Sequence, residues 1–265
     1  MTKVCGVEIS NPDKIISDNI KKIDMINYYK KISQKILPYL ENRFISEVRC
    51  HGNFENCFFR KHPADNEKKF ITINSKEDLI LEAQLGSIEL HPWGCKKQNP
   101  NKPDIMIFDL DPDENMNLKT LRKCVLLLKQ VLDDLNLTSF LKASGGKGYH
   151  VLLPFKESHS WQKFSKFSKN IALLLESSYP NLFTTNIRKS ERKGKIFVDY
   201  LRNKKGATCV APYSLRAREN LPVSLPLDWK DLNRISPNQV KIKNVENFLS
   251  KNPWKDFFLI EQSLN

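Results

Sequence analysis

The sequence predicts an α+β fold built around a mixed or mostly antiparallel sheet, and three observations favour it. Strand-like runs come in neighbouring pairs joined by glycine turns, as in "SFLKAS" and "GYHVLLPF", and such pairs form antiparallel hairpins. Stretches with apolar residues three or four apart separate these pairs, which is typical of amphipathic helices. One strong βαβ-like unit is visible, in residues 104–139, so a fully parallel sheet is not favoured.

Each predicted element has a local signal. Isoleucines three or four apart predict a helix over 19–40 that ends near Pro38. Ser75, with Asp78 three residues later, predicts the start of a helix over 75–87. The other predicted elements are strands over 44–52 and 57–62 joined by a turn at Gly52-Asn53, a buried strand over 104–112, a helix over 117–136, a hairpin of 139–144 with 148–155, a helix over 161–180, strands over 195–201 and 208–215, and one or two short helices near the C-terminus.

The charge of the chain indicates a polyanionic partner. The 265 residues, which we expect to form a single domain over 1–265, have a formal net charge of +13. The stretch 186–220 holds ten Lys and Arg against three Asp and Glu. A local excess of this kind favours nucleic-acid binding, and the alternative is a solvated, lysine-rich surface.

The sequence also indicates where the protein works. No apolar run approaches the roughly 20 residues of a membrane span, and the first ten residues contain no signal-peptide core. We therefore expect a soluble cytoplasmic protein. None of the six cysteines forms a C-x-x-C pair, so we expect free thiols in a reducing compartment rather than disulfides.

The segment "FDLDPD" at 108–113 contains the first candidate site. Residues two apart in a strand point to the same face, so Asp109 and Asp111 are predicted to lie side by side. Two such carboxylates repel each other unless a cation lies between them, and Mg²⁺ or Mn²⁺ prefers oxygen ligands. The alternatives are a phosphatase-type nucleophile with its acid, or an acidic turn without a function. Asp113 is predicted to face solvent.

Two further segments add groups that suit phosphate chemistry. In "KASGGKGYHVLLPF", a glycine turn is bracketed by Ser144, Lys147 and His150, and its amides could converge on an anion. A plain glycine hairpin is the alternative. In "FVDYLRN", Asp199 either pairs with Arg202 or shares a metal with the first two aspartates. Three carboxylates, a glycine turn and several arginines suit phosphoryl or nucleotidyl transfer.

At this point the sequence resembles a known family. The segments "PDIMIFDLDPDENM", "KASGGKGYHVLLPF", "VDYLRNKKGATCVAPYSLRA", "CFFRKH" and "NPDKII" are similar, in order and over nearly the whole chain, to the polymerase domain of bacterial DNA ligase D. That domain belongs to the archaeo-eukaryotic primase superfamily and acts in non-homologous end joining. The resemblance implies a primase-like fold with an RRM-like catalytic core flanked by helices.

The resemblance also implies roles for individual residues. The predicted metal ligands and catalytic residues, which would hold two Mn²⁺ or Mg²⁺ ions, are Asp109, Asp111 and Asp199. The predicted contacts to the nucleoside triphosphate are His91, Ser144, Lys147, His150, Arg202 and Arg216. The predicted DNA contacts are Phe58 and Phe59 against template bases, Lys61 in the same segment, and Lys14 and Lys22 at a 5′-phosphate. The alternatives are ordinary strand core for the two phenylalanines and solvated surface for the lysines.

The function that the resemblance implies is templated addition of nucleotides to a DNA 3′-hydroxyl. The enzyme would fill gaps and extend ends with a 5′-phosphate, prefer ribonucleotides, and work near the nucleoid with Ku and a DNA ligase. Two alternatives stay open, a primase that starts chains de novo and a non-catalytic module that binds DNA ends. The chain departs from the family's usual pattern at His51, where proline is common, and at Arg60, where glutamine is common.

Overall fold

The computed structural model describes residues 2–51, 54–62 and 68–264. Within these ranges, every helix is too short or too polar to cross a membrane. The helices, in chain order, are α1 (Lys22–Leu40), α2 (Lys76–Gln84), α3 (Leu118–Asp134), α4 (Trp161–Ser178) and the single turn α5 (Glu246–Leu249).

The strands form one larger sheet and three small ones. In chain order they are β1 (Thr2–Val4), β2 (Val7–Ile9), β3 (Ile15–Ser17), β4 (Ile20–Lys21), β5 (Ile45–Cys50), β6 (Cys57–Arg60), β7 (Ser87–Pro92), β8 (Ile105–Pro112), β9 (Phe140–Ala143), β10 (Tyr149–Pro154), β11 (Phe183–Thr184), β12 (Ile196–Asp199) and β13 (Pro226–Leu227).

The chain divides into two compact units. Unit 1 comprises Met1–Trp93, Thr208–Leu225 and Asn238–Lys251, and unit 2 comprises Gly94–Ala207, Pro226–Pro237 and Asn252–Asn265. Each unit is therefore assembled from three separate segments of the chain. The single domain over 1–265 stays a prediction.

Unit 1 is built around the antiparallel sheet β6-β5-β7 and the long helix α1. The apolar stripe of α1 is fully buried, with Ile26, Tyr29, Ile32 and Ile36 all inaccessible to solvent. This stripe is the 3–4 periodicity that predicts the helix. The shorter helix α2 packs against α1 and begins, as predicted, at Ser75, whose hydroxyl accepts the amide of Asp78.

Unit 2 is built around a six-stranded sheet in the order β11-β12-β8-β10-β9-β13. All of its pairings are antiparallel except β11 with β12. The βαβ-like unit is present, with β10 inserted between β8 and β9. The central strand β8 is buried along its length until Asp109, where exposure begins. The prediction of an α+β fold with a mixed, mostly antiparallel sheet is confirmed.

One local prediction is wrong, and another lies outside the described residues. Helix α1 ends at Leu40, within the predicted range 19–40 and near Pro38 as expected, because the amide of Glu41 still donates to the carbonyl of Leu37 and closes the last turn. The segment 208–215 is not a strand, since Tyr213 adopts a left-handed backbone (φ 65°) and Pro212 lacks an amide donor. The predicted turn at Gly52-Asn53 lies outside the described residues.

A second correction concerns the cysteines. Cys50 and Cys57 face each other across β5 and β6 and form a disulfide. The pair closes a short hairpin, so the two thiols are neighbours because of strand register, which their spacing in the sequence does not reveal. Among the described residues, the cysteines outside this disulfide are Cys5, Cys95, Cys124 and Cys209.

Candidate functional site

The strand pairing of unit 2 places carboxylates together at one end of the sheet. Asp199 is the cross-strand partner of Asp109 in the antiparallel pair β12 and β8, and directly opposite residues share a face about 5 Å apart at Cβ. Asp111 lies two residues further along β8, on the same face. The three aspartates therefore lie on one face at the same end of the sheet.

A side chain extends this pairing beyond the end of β12. The side-chain Nδ2 of Asn203 donates to the backbone carbonyl of Ile107 at 2.7 Å, and its Oδ1 accepts the backbone amide of Ile107 at 2.8 Å. Asn203 is fully buried and takes the place of the next strand residue in the ladder. It thereby fixes the short segment between Asp199 and itself, which carries Arg202, against β8.

The three aspartates carry more negative charge than their surroundings favour. Burial raises the pKa of Asp111, and the charge of Asp109 raises it further. Burial also raises the pKa of Asp199, which Arg202 lowers and Asp109 raises again. Like charges this close disfavour each other's ionisation, so the cluster is suited to a cation.

Two arginines lie beside these carboxylates. Arg202 places its Nε 3.0 Å from Oδ2 of Asp199 and its Nη2 3.5 Å from Oδ2 of Asp109. Arg192 places its Nη1 3.4 Å from Oδ2 of Asp111, with its guanidinium 3.7 Å from the centre of the Phe197 ring. The cluster is thus partly neutralised by guanidinium groups, which are also the groups that bind phosphates in a bidentate manner.

His150 joins the same cluster from the other side of β8. It is the cross-strand partner of Asp109 in β10, it is buried, and its Nε2 lies 3.4 Å from Oδ1 of Asp109. The glycine turn that precedes it packs tightly on β8, since a Cβ on Gly148 would lie 2.0 Å from the carbonyl oxygen of Leu110. Only glycine allows this approach.

The amides of this turn are not arranged as an anion cradle. The amide of Gly145 donates to the carbonyl of Pro237 at 2.9 Å, and that of Gly146 donates to the Ser144 hydroxyl at 3.0 Å. The interpretation of these two amides as anion donors is therefore wrong. Lys147 is exposed, and its ammonium pairs with Glu114 at 2.9 Å.

Two other predicted nucleotide contacts, His91 and Arg216, lie in unit 1. Nε2 of His91 donates to Oε2 of Glu89 at 2.9 Å, and Nε of Arg216 lies 3.0 Å from the same oxygen. The backbone amide of Ala217 donates to the other oxygen, Oε1, at 2.8 Å. One carboxylate therefore holds both predicted contacts.

Lys14 and Lys22 line a small cavity of about 120 Å³ in unit 1, together with Cys50, His51 and Gly86. Nζ of Lys22 donates to the carbonyl of Ser10 at 2.9 Å. Burial lowers the pKa of Lys22, and the charge of Lys14 lowers it further. Two like charges facing one cavity suit an anion that relieves their repulsion.

The aromatic pair lies on the surface of unit 1. Phe58 and Phe59, on β6, are 41% and 50% exposed, so the alternative that they form strand core is wrong. Their rings contact histidines, with centroid distances of 5.4 Å between Phe58 and His51 and 5.8 Å between Phe59 and His91. Exposed aromatic rings are platforms for stacking bases. Lys61, which follows the strand, is also exposed.

The sequence alone does not identify several residues of the site. Arg192 lies in the basic stretch 186–220, but the charge excess alone does not single it out. Glu89 precedes His91 by two residues in a strand, a spacing that places both on one face and could have indicated it. Asp113, expected to face solvent without a role, accepts the amide of Gly194 at 3.0 Å and fixes the loop that precedes β12.

The aspartates of unit 2 fit a divalent cation held together with a substrate. Among the described residues, no three His, Cys, Asp or Glu side chains are arranged to enclose an ion. Mg²⁺ in phosphoryl-transfer sites is bound by one or two carboxylates, with substrate phosphates and water completing the shell. Asp109 and Asp111, with their excess of negative charge, match that donor set.

The chain is similar to proteins of one family. The sequence model of the LigD primase-polymerase domain matches residues 21–258. The chain is 35% identical over 275 aligned positions to the multifunctional non-homologous end joining protein LigD of Pseudomonas aeruginosa, covering 95% of this chain and 33% of that protein. It is 30% identical over 272 positions to the bifunctional LigD of Bacillus subtilis, covering 95% of this chain and 44% of that protein.

A solved structure is similar over the full length. The polymerase domain from Mycobacterium tuberculosis ligase D in complex with DNA superposes with a TM-score of 0.86 at 26% identity, covering 97% of this chain and 99% of that one. The chain spans about a third of the length of the Pseudomonas protein and of the LigD of Mycolicibacterium smegmatis, which is 31% identical over 246 positions and 85% of this chain.

Proposed function

We propose, since this chain belongs to the family of LigD primase-polymerase domains, that it acts as one domain adding nucleotides to DNA 3′ ends during end joining. The observation that carries the proposal is the register of β8, β10 and β12. It brings Asp109, Asp199 and His150 onto neighbouring strands, next to Asp111 and two guanidinium groups. Carboxylates beside cationic phosphate-binding groups suit nucleotidyl transfer.

The aspartates have complementary tasks in this proposal. Two Mg²⁺ or Mn²⁺ ions, when bound, would supply activation of the 3′-hydroxyl and stabilisation of the leaving pyrophosphate. Asp109 and Asp111 would hold the ions from β8 and Asp199 from β12. His150, 3.4 Å from Asp109, would orient that carboxylate. Partial burial of Asp109 and Asp199 would strengthen their electrostatic interactions relative to water.

The arginines prepare the site for a polyanion. Arg192 and Arg202 lie within 3.5 Å of the aspartates, where a triphosphate would approach them. Their charge lowers the electrostatic cost of bringing a polyanion to a carboxylate cluster. Ser144 and Lys147 in the glycine turn, and His91 and Arg216 in unit 1, would provide further contacts to the nucleotide.

DNA would be bound by unit 1 through two kinds of contact. Lys14 and Lys22 would bind a 5′-phosphate in their cavity, while Phe58 and Phe59 would stack on template bases. Lys61 would contact the DNA backbone. The net charge of +13 supports salt-dependent binding to DNA as a whole.

The relatives that the chain matches are named for non-homologous end joining, which supports a place beside a DNA ligase and an end-binding protein such as Ku. The resemblance of this chain to the LigD polymerase domains also supports a preference for ribonucleotides. We expect a gapped or overhanging end with a 5′-phosphate to be the preferred substrate.

Primer extension on a 5′-phosphorylated gapped duplex, with Mn²⁺ and either rNTPs or dNTPs, tests the proposal. Wild-type protein should extend the primer, and Asp109→Ala should not. Asp134→Ala, at an exposed position of α3, removes the same charge from the same unit and should extend normally. Wild-type incorporation by Asp109→Ala would contradict the mechanism, and synthesis on unprimed single strands would favour a primase instead.

A further inference from the structure

A single buried carboxylate in unit 1 connects two separate segments of the chain. Glu89 lies on β7, two residues before His91, and its side chain is 7% exposed. Oε2 of Glu89 accepts Nε2–H of His91 and lies 3.0 Å from Nε of Arg216, while Oε1 accepts the amide of Ala217. His91 belongs to the sheet, whereas Arg216 belongs to an irregular segment about 125 residues later in the chain.

The electrostatics of Glu89 make this connection firm. Burial raises the pKa of the carboxyl, but the hydrogen bond from His91 and the charge of Arg216 outweigh it and bring the pKa to about 2. The carboxylate is therefore charged throughout the physiological range. A buried charge is stable only while its partners stay in place, so Glu89 and its three partners are fixed together.

The exposed aromatic residue Phe59 contacts His91, one of the partners of Glu89. The ring of Phe59 meets the imidazole of His91 nearly edge-on, with an interplanar angle of 78°. The orientation that Glu89 imposes on His91 is thus also the orientation against which Phe59 packs. Since the hydrogen bond uses Nε2, it also determines which edge of the imidazole faces the carboxylate.

We propose that Glu89 is a positioning residue for nucleotide binding, which holds His91 and Arg216 in one fixed geometry and so sets the affinity for the incoming nucleoside triphosphate. This inference rests on the proposed function, in which those two side chains contact the nucleotide. Glu89 itself acts through its partners. Residues that orient the ligands of a metal change its affinity by about 10–100-fold when they are removed, and we expect a comparable effect for a residue that orients nucleotide contacts.

Equilibrium binding of a fluorescent ribonucleoside triphosphate analogue, with gapped DNA present, tests the inference without requiring catalysis. Glu89→Gln keeps the shape and removes the charge, and we expect it to weaken nucleotide binding about tenfold. Primer extension should show a KM increase of the same size with kcat within about threefold. Glu77→Gln, which neutralises an exposed carboxylate of unit 1, is the control and should leave nucleotide affinity unchanged.

Double-mutant cycles separate positioning from a general effect on folding. We expect Glu89→Gln combined with His91→Ala, and separately with Arg216→Ala, to lose at least threefold less affinity than the product of the single losses. Independent losses in both cycles, or an unchanged affinity in Glu89→Gln, would overturn the inference. If Glu89→Gln does not fold, Glu89→Asp, which withdraws the carboxylate by one methylene, goes through the same cycles with the same criterion.

The two proposals fail in different ways. A wild-type protein that incorporates no nucleotide on any gapped substrate would remove the proposed function. An active wild-type protein with independent effects at Glu89, His91 and Arg216 would leave that function intact and remove only the positioning role.

Discussion

Asp109 and Asp199 lie directly opposite each other on antiparallel strands β8 and β12, and the charge of Asp109 raises the pKa of Asp199. A folded protein gains nothing in stability from such a pair. Burial alone already raises the pKa of Asp199, and a second carboxylate across the strand adds to that cost. The arrangement is therefore better explained by binding than by folding.

The first prediction separates a role of Asp199 in binding from a role in folding stability. Asp199→Asn removes the charge and keeps the size, so we expect Tm to stay equal or rise, because the folded state disfavours the carboxylate. Primer extension should fall on the order of a hundredfold or more, since a metal-binding oxygen is lost. Thermal unfolding and primer extension on the same preparation check both expectations. A clear fall in Tm would show that the pairing with Arg202 dominates instead.

A second prediction concerns the close approach of the glycine turn to β8. A Cβ at Gly148 would lie 2.0 Å from the carbonyl oxygen of Leu110, which is backbone and cannot move aside by changing rotamer. We expect Gly148→Ala to lower the free energy of unfolding by about 3 kcal/mol. Because Leu110 lies between Asp109 and Asp111, primer extension should also fall.

Gly6→Ala is the matched control for this change. Gly6 has a positive φ of 78° with open space around its Cβ position, so alanine there costs only the left-handed backbone, about 1 kcal/mol. Urea unfolding of both variants measures the difference. Equal losses would mean that the turn relaxes away from β8 without cost.

These examples show how much of the site the sequence reveals. Alternation along a strand predicts that Asp109 and Asp111 share a face, and the glycine turn predicts the hairpin that brings His150 forward. The pairing of Asp199 with Asp109 depends on the order of strands in the sheet, which local periodicity does not determine. It becomes an expectation through the family resemblance.

Other features depend on long-range contacts that leave no periodic trace. Arg192 reaches Asp111 across 81 positions, and Glu89 reaches Arg216 across 127 positions. The segment 208–215 has the composition of a strand, yet Ala211 donates its amide to Leu90 and Tyr213 turns the chain. Tertiary hydrogen bonds here override the local preference.

A third prediction concerns a buried ion network in unit 1. Glu82 accepts hydrogen bonds from Arg49 at 2.9 Å and Arg60 at 3.2 Å, and Glu47 lies 2.7 Å from Arg60. Burial raises the pKa of Glu82 to about 7, assisted by the charge of Glu47 and opposed by the two arginines. Arg60, a departure from the family's usual glutamine, is thus part of the network that holds β6.

The sign of the pH dependence follows from this raised pKa. Between about pH 4.5, the ordinary pKa of a glutamate side chain, and about pH 7, the folded protein binds a proton at Glu82 that the unfolded chain has released. The contribution of Glu82 to stability therefore falls as the pH rises through this window. We expect Tm to decline less between pH 5 and about 7.5 in Glu82→Gln than in wild type. Glu77→Gln, exposed on the same helix, should keep the wild-type slope, and an unchanged slope in Glu82→Gln would contradict the assignment.

The fourth prediction concerns the cavity lined by Lys14 and Lys22. Burial and the neighbouring charge of Lys14 both lower the pKa of Lys22, so the surroundings of Lys22 disfavour its ammonium form. A phosphate would relieve this cost. We expect Lys22→Met to change Tm little, because the lost hydrogen bond to Ser10 is offset by removal of a buried charge.

The effect of Lys22→Met should instead appear in the selection between DNA ends with and without a 5′-phosphate. Lys22→Met should reduce the preference for a 5′-phosphorylated gap over a 5′-hydroxyl gap, and the slope of log affinity against log salt should fall by about 1 on the phosphorylated substrate. Lys3→Met, which removes an exposed lysine of the same unit, should change neither the preference nor the slope. If Lys22→Met kept its full preference for the phosphate, the assignment of Lys22 to a 5′-phosphate would be wrong.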